Sequence, residues 1–359
     1  MRILQLIQTN QKRGAENFAS QISNHLIDAG HEVKIVALFS GTADLPFKGT
    51  IENLNASHKK RLYDYKSWSA LNTIVKSFKP DVVQANAGDT LKYAVLSRLF
   101  FKWSVPIVFR NASELGRYIT STIQKKYNSF LFRKTDYIIS VSQASKNDIT
   151  KHFRFLENKT EVIPVGLEKI NVIDDYQFEP KEAKHIVHVG GFTFEKNHEA
   201  LLRIFQNVNR EMTSTHLHLI GDGPLRTKIE KLVKEKGLSS NIHFHGFVNN
   251  PLNFIKSANV LVLPSLIEGL PGVLLEAMYC KTPVVAYNVG GISEIVDDET
   301  GYLIEKNNEE NFSRAVVKIF ENYPYNRIDT AYKMVIKQYI NKKIAQDFIE
   351  LYEKILKKN

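Results

Sequence analysis

The sequence predicts an α/β protein made of two doubly wound, parallel-sheet units. Three observations predict it. Short apolar runs of strand length alternate with longer helical patterns from the first residues onward, as in parallel sheets joined by crossover helices. The alternation lapses once, over residues 164–184, and then resumes. A chain of 359 residues is also long enough for two domains, each with its own core.

In the first half, strands are expected at 3–7, 32–38, 82–84, 107–110 and 137–141, all short and rich in aliphatic residues. Helical patterns lie between them at 15–29, 67–78, 90–102 and about 119–133. The second half repeats the scheme, with strands at 185–190, 216–220, 242–245, 260–263 and 284–286. Its helices are expected to open near His198, Pro224, Pro251 and Gly272. Between the halves, IDDYQFEPKE (173–182) reads as a polar connector. The expected division is therefore 1–165 and 166–341. Helical patterns at 309–321, about 325–340 and 342–357 complete the chain, and the last, amphipathic one is expected to pack back on the first unit. There is no low-complexity segment and no short-period repeat.

The composition, 43% hydrophobic and 24% charged, is that of an ordinary globular protein. A single cysteine, Cys280, excludes an intrachain disulfide and argues against a structural zinc site. The chain opens directly on a strand-like run without a secretory layout, and no apolar run approaches the ~20 residues that span a bilayer. A cytoplasmic protein is expected. The formal charge of +10 is concentrated in the first half: residues 1–165 hold 24 Lys and Arg against 13 Asp and Glu, the remainder 24 against 25. Such a field draws anionic partners. Two segments mix charge with aromatics, Lys59-Lys60-Arg61 with Tyr63, Tyr65 and Trp68, and Phe100-Phe101-Lys102-Trp103. They read either as a surface that meets an anionic membrane or as solvated basic faces with buried rings.

The run LPSLIEGLPGVLLEAM (263–278) is the most informative in the chain. A buried strand leads through a turn holding Pro and Gly into a helix that opens near Gly272. Glu268 sits in the turn and Glu276 eight residues later, inside the helix. The helix amides and roughly half a unit of positive charge favour an anion there; Pro271 has no N–H to contribute. The two carboxylates suit hydroxyl groups, since one carboxylate accepts a pair of hydrogen bonds from a vicinal diol. A diphosphate flanked by polyols is a nucleotide-sugar.

Preceded by a strand ending in Pro-Ser and followed by TPVVAYNVGGISEIV (282–296), this E-x7-E element resembles that of the retaining family 4 glycosyltransferases, enzymes of the GT-B fold. The resemblance covers nearly the whole chain. It implies two Rossmann-like domains facing each other across a deep cleft, the first binding the acceptor and the second the nucleotide-sugar donor. It implies that Glu268 lies against the donor sugar and Glu276 on the ribose hydroxyls, with Gly269, Leu270, Gly272, Val273 and Leu274 in the turn that meets the diphosphate. In HVGGFTFEKNHEALL (188–202), Lys196 is placed above the sheet as a point charge for the diphosphate. The family usually has an arginine where this chain has Gly191. Either Lys196 acts with the helix amides alone, or a basic residue such as Arg226 supplies the second charge. LIGDGPLRTKIE (219–230) resembles a family turn, with Gly221 and Gly223 close to the donor. The backbone near Phe247 and Val248 is implied to hold the base; His243 and His245 read as strand residues. In the first unit, Gly14 is implied to lie against the donor phosphate, with Arg13 in place of the usual second glycine. No histidine stands at the strand ends where the family often carries one, so Arg110, Asn111 and Asn86 are the acceptor- or sugar-side candidates.

Glu268 and Lys196 are the expected catalytic residues of a hexosyltransferase that retains anomeric configuration. No buried nucleophile is evident. The expected path is departure of the diphosphate and attack by the acceptor from the same face, with developing charge stabilised electrostatically. No Asp-x-Asp site appears, so neither a metal nor another cofactor is expected. The expected donor is a UDP-sugar in preference to a GDP-sugar. The expected acceptor is a saccharide or lipid-linked saccharide of surface-glycan synthesis, met at the inner face of the membrane; nucleic acid is not an expected partner. The competing readings are a sugar-nucleotide epimerase of the same architecture and a non-catalytic saccharide-binding protein. A NAD-dependent dehydrogenase would need G-x-G-x-x-G after the first strand, and QTNQKRG (8–14) lacks it.

Overall fold

Two parallel sheets organise the chain in the computed structural model, which describes residues 1–61, 63–170 and 174–358. One compact unit comprises Met1–Glu168 with Ile340–Asn359, the other Lys169–Tyr339.

The first unit runs β1 (Arg2–Thr9), α1 (Gly14–Asp28), β2 (Glu32–Phe39), β3 (Ile51–Asn53), α2 (Tyr65–Phe78), β4 (Val82–Ala85), α3 (Gly88–Phe101), β5 (Ile107–Asn111), α4 (Thr122–Arg133), β6 (Tyr137–Ser140), α5 (Gln143–His152) and β7 (Thr160–Val162). Its sheet order is β3-β2-β1-β4-β5-β6-β7, with every pair parallel. The reversal of direction beside β1 is the doubly wound topology. Successive strand side chains alternate between faces. Leu4, Leu6, Val83, Ile107 and Phe109 pack under α2, α3, α4 and α5. Ile3, Val82, Val108 and Ile139 pack on the opposite face under α1 and the last helix of the chain.

The second unit runs β8 (Lys184–Val189), α6 (His198–Glu211), β9 (Thr215–Ile220), α7 (Arg226–Glu235), β10 (Ile242–Gly246), α8 (Pro251–Ser257), β11 (Val260–Leu263), α9 (Gly272–Tyr279), β12 (Val284–Tyr287), β13 (Tyr302–Ile304), α10 (Glu309–Glu321) and α11 (Tyr325–Gln338). Its sheet order is β10-β9-β8-β11-β12-β13, again all parallel. The closing helix, α12 (Asn341–Leu356), lays Ile344, Phe348, Leu351, Tyr352 and Ile355 on the first unit beside α1.

The long elements follow the sequence pattern; four short ones do not. β3, β7 and β13 have three residues each, too few for a period to be read. The ten residues of α5 are polar and bury only Ser145 and Ile149, so no apolar stripe announces them. Its signal is local: Ser142 is an N-cap, its hydroxyl accepting from the Ser145 amide at 3.1 Å. The helix expected from about 119 begins at Thr122, behind a Ser121 cap, after a 3-10 turn at Leu115–Tyr118. Of the expected connector, residue 173 lies outside the described residues, as do 171 and 172 before it. The rest is clamped to the second unit: the Tyr176 amide donates to Ser257 at 2.8 Å, and buried Phe178 stacks on His185.

Candidate active site

The loops at the carboxyl ends of β8, β9, β11 and β12 are sewn together by main-chain hydrogen bonds. Gly190 N–H donates to Ile220 O at 2.9 Å, Phe192 N–H to Asp222 O at 3.1 Å, and Gly221 N–H to Gly246 O at 2.7 Å. Gly221 sits at φ +135°, and a Cβ there would lie 2.1 Å from Gly190 O; one on Gly223 would lie 2.7 Å from Phe192 O. Both positions need glycine because backbone meets backbone. The Glu268 loop is held from two sides. Leu266 N–H donates to Glu195 O at 2.7 Å and Asn197 Nδ2 to Pro264 O at 3.1 Å. Across from them, Gly291 N–H donates to Gly269 O at 2.8 Å, and Gly290, at φ +55°, would place a Cβ 1.9 Å from Glu268 O. Gly290 and Gly291 were not singled out from sequence as site residues; the glycine pair in NVGG was the signal.

Within this frame Lys196 Nζ donates to Glu268 Oε1 at 2.5 Å, both side chains being largely buried. The two expected catalytic residues are thus paired with each other. Glu276, one turn into α9, is partly buried, and its carboxyl group has no hydrogen bond or ion pair among the described residues. Burial pushes its carboxyl up to about 7. At the tip of α9, Leu274 N–H bonds to Pro271 O at 3.2 Å, while the Gly272 and Val273 amides have no partner among the described residues. Two unpaired amides and an unpaired, desolvated carboxylate thus share one short helix. Leu270 and Leu274 are buried and anchor the turn.

Gly191 has room for a side chain, its nearest neighbours being Asp222 O at 3.5 Å and Thr193 Cγ2 at 3.7 Å. The guanidinium of Arg226, the candidate for the second charge, is paired with Asp222 at 3.0 Å and Glu230 at 2.8 Å. Phe247 is exposed and Val248 partly so, just beyond β10. Beneath the Lys196 loop lie two histidines that sequence reasoning did not assign. His188 donates from Nδ1 to Val262 O at 2.9 Å, because a carbonyl can only accept, and its Nε2 is buried without a partner among the described residues. His198 stacks on Phe192, centroids 4.1 Å apart, with neither ring nitrogen bonded among the described residues. Burial first, and then the neighbouring Lys196 charge, hold His188 down to about 4; burial, His188 and Lys196 hold His198 down to about 2. Both rings are neutral.

In the first unit, Arg13 is the exposed N-cap residue of α1 and Gly14 its first residue. Nothing lies within 4 Å of a Cβ built on Gly14, so the fold itself does not demand glycine there. The acceptor-side expectations for Arg110, Asn111 and Asn86 are corrected, because all three side chains are buried in the unit. Arg110 is 1% exposed and lies over the Phe18 ring at 4.2 Å, on the sheet face that α1 and α12 cover. Burial lowers its guanidinium to about 10, and its Nε and Nη2 have no partner among the described residues. Asn111 donates to Ser140 Oγ and Ser145 O at 3.4 and 3.3 Å. Asn86 belongs to a closed ring: its Nδ2 donates to Gln5, Gln5 to Tyr352, Tyr352 to Gln84, and Gln84 back to Asn86, at 2.9, 3.5, 2.5 and 3.0 Å. The unit also holds an open cavity of about 530 Å³ between α5 and the turn after β5, lined by the charged and polar residues Glu114, Arg117, Asn147, Asp148, Lys151 and His152. Among the described residues, no cluster of three or more His, Cys, Asp and Glu is arranged to hold a metal.

Two family models match the chain, "Glycosyltransferase Family 4" over residues 12–169 and "Glycosyl transferases group 1" over 171–343. An uncharacterised glycosyltransferase of Methanocaldococcus jannaschii is 26% identical over 92% of both chains. The N-acetylgalactosamine-N,N'-diacetylbacillosaminyl-diphospho-undecaprenol 4-alpha-N-acetylgalactosaminyltransferase of Campylobacter jejuni is 28% identical over 64% of this chain and 63% of its own, less than two thirds of that protein. Among solved structures, Anabaena HepE in complex with UDP-glucose superposes with a TM-score of 0.83 at 18% identity, covering 99% of this chain and 100% of that one. That likeness shows the fold.

Proposed function

The chain belongs to the family 4 glycosyltransferases of GT-B fold, and from that premise we propose that it moves a hexose-type sugar from UDP to a saccharide or lipid-linked saccharide, with retention of configuration and without a metal. The observation that carries the donor reading is Glu276. A carboxylate desolvated to a pKa of about 7 with no partner among the described residues is destabilised as it stands. A pair of ribose hydroxyls would satisfy it, and the free Gly272 and Val273 amides on the same helix suit the diphosphate that follows the ribose. The UDP-glucose bound by HepE supports uridine as the base.

Lys196 and Glu268 divide the chemistry. Negative charge grows on the diphosphate as the glycosidic bond breaks, and Lys196 with the two amides stabilises it without any reorganisation of the loops. Glu268 holds the ammonium in place and presents its second oxygen to the sugar hydroxyls. The acceptor, freed of the buried strand-end candidates, fits the cavity between α5 and the turn after β5. A diphospho-undecaprenol sugar in the Campylobacter relative's name supports a lipid-linked acceptor, and the reading places the reaction in the cytoplasm, at the inner membrane face.

A thermal-shift panel of nucleotide-sugars tests this. A donor at 100 times its dissociation constant stabilises by about 2.7 kcal/mol. UDP-sugars should shift the melt and GDP-sugars should not; the reverse result removes uridine. Conversion of the donor with no acceptor present would instead establish an epimerase. The anomer of the product, read by NMR, and turnover in excess chelator test retention and metal independence.

A further inference from the structure

Two segments 35 residues apart, each mixing basic and aromatic residues, fold into one surface patch. Tyr65 at the start of α2 meets Phe100 and Phe101 at the end of α3, centroids 6.0 and 5.3 Å apart, and Phe100 stacks on buried Trp68 at 5.2 Å. Tyr63, Tyr65 and Phe100 are 67%, 57% and 57% exposed, and Leu99 is exposed beside them. Large apolar rings grouped on a surface call for an apolar partner. Lys66 follows Tyr65 and Lys102 follows Phe101 in the chain, and Lys60 O accepts from the Tyr63 amide at 2.9 Å; Lys59, Lys60, Lys66 and Lys102 are all exposed and without an ion pair among the described residues.

The acidic groups nearby do not oppose them. Asp64 is buried and turned inward, accepting from the Ser57 and Ser67 amides and Tyr93 Oη at 3.2, 3.2 and 3.0 Å. Asp89 is matched by Arg61 and Lys92. The patch is therefore cationic around an apolar centre. Among the described residues no helix is long and apolar enough to cross a membrane, so any membrane contact is made by a surface.

We propose that the Tyr63–Tyr65–Phe100 patch docks the protein on an anionic lipid bilayer. The rings sit at the headgroup boundary and the four lysines face the lipid phosphates. Charge complementarity selects the bilayer over an apolar protein groove. The role of this docking, delivery of the enzyme to a lipid-linked acceptor, rests on the function proposed above; docking itself is measured apart from it.

The experiment is vesicle co-sedimentation of the full chain, with phosphatidylcholine vesicles and with vesicles also containing phosphatidylglycerol. The protein should bind the anionic vesicles, release as salt rises, and leave neutral vesicles in the supernatant. Tyr65→Ser with Phe100→Ser should cut partitioning about tenfold or more. Lys59→Glu, Lys60→Glu and Lys66→Glu together, all exposed and remote from the core, should cut it about a hundredfold. The thermal shift given by nucleotide-sugar should be unchanged in both variants, which separates loss of docking from misfolding and from failure of the donor reading. No binding to anionic vesicles, equal binding to neutral ones, or variants that bind like the wild type would overturn the proposal. So would binding of a single-stranded oligonucleotide through the same lysines in preference to vesicles.

Discussion

The side chain of Glu276 has opposite effects on stability and binding. Its folded pKa of about 7 lies above the unfolded value of 4.5, so the native state holds more protons between those limits and stability falls as pH rises through that window. Glu276→Gln should therefore raise the melting point at pH 8, by up to ~3 kcal/mol of stability. It should also weaken donor binding by about 1.5–3 kcal/mol, through loss of a charged hydrogen-bond acceptor. Calorimetric titration and melts on one sample check both, and a variant that binds donor normally refutes the ribose assignment. Lys196→Ala should slow turnover while leaving the affinity for bare uridine near wild type; an unaltered rate would return Lys196 to a structural partner of Glu268. The glycines divide in the same way. Gly290→Ala forces a Cβ to within 1.9 Å of Glu268 O at a left-handed φ, so melting point and activity should fall together. Gly14→Ala meets nothing within the chain and should leave the melt untouched. If Gly14 adjoins the donor, only KM or turnover will change.

At the scale of the element, β8, β9 and β10 carry a ladder of histidines on one face. Pro180 O can only accept, so His185 Nε2 carries a proton; His185 Nδ1 then accepts from His218 Nε2, and His218 Nδ1 from His245 Nε2, at 3.0 Å each. His216 and His243 form a second pair at 2.9 Å. The chain of donors works only while these rings are neutral, and burial lowers the pKa of all five. Their folded values lie below the unfolded 6.5, so this stability is complete above pH 6.5 and is lost as pH falls, because the unfolded state takes up protons first. The second unit should therefore lose stability as the pH falls from 7 to 5. His218→Gln should flatten that slope, whatever it does to stability at pH 7. An equal slope in the two proteins, from denaturant titrations across the range, would show that the acid sensitivity lies elsewhere.

At the scale of the molecule, α12 joins the first unit across nearly the full length of the sequence. Tyr352 closes the hydrogen-bond ring through Gln5, Gln84 and Asn86, and α12 with α1 seals Arg110 from water. Tyr352→Phe leaves the Gln84 carbonyl oxygen and the Gln5 amide buried without their partner. It should cost about 1–3 kcal/mol. Urea unfolding followed through the first unit measures it, and no change would mean that water replaces the hydroxyl. Removing α12 altogether deletes Ile344, Phe348, Leu351 and Ile355 and exposes the apolar surface they cover, Ile3, Phe18, Ile22, Val82 and Val108 among it, and should abolish the cooperative transition of that unit.

The fold class, the order of the long elements and the E-x7-E loop could be read from residues 1 to 359 alone. Those features are local: a strand, a turn and a helix tip occupy consecutive residues, and apolar periodicity is a property of a short window. Glu268, Glu276 and Lys196 could be named as candidates from the sequence for that reason. The pairing of Lys196 with Glu268 over 72 positions, the histidine ladder, the glycine contacts at Gly290, and the burial of Arg110, Asn111 and Asn86 all depend on which strands become neighbours and on which helix covers which face. A strand-end residue reads the same in sequence whether its face is open or sealed by a helix 240 residues away. Tertiary packing decided that, because burial is a property of the neighbours and not of the residue.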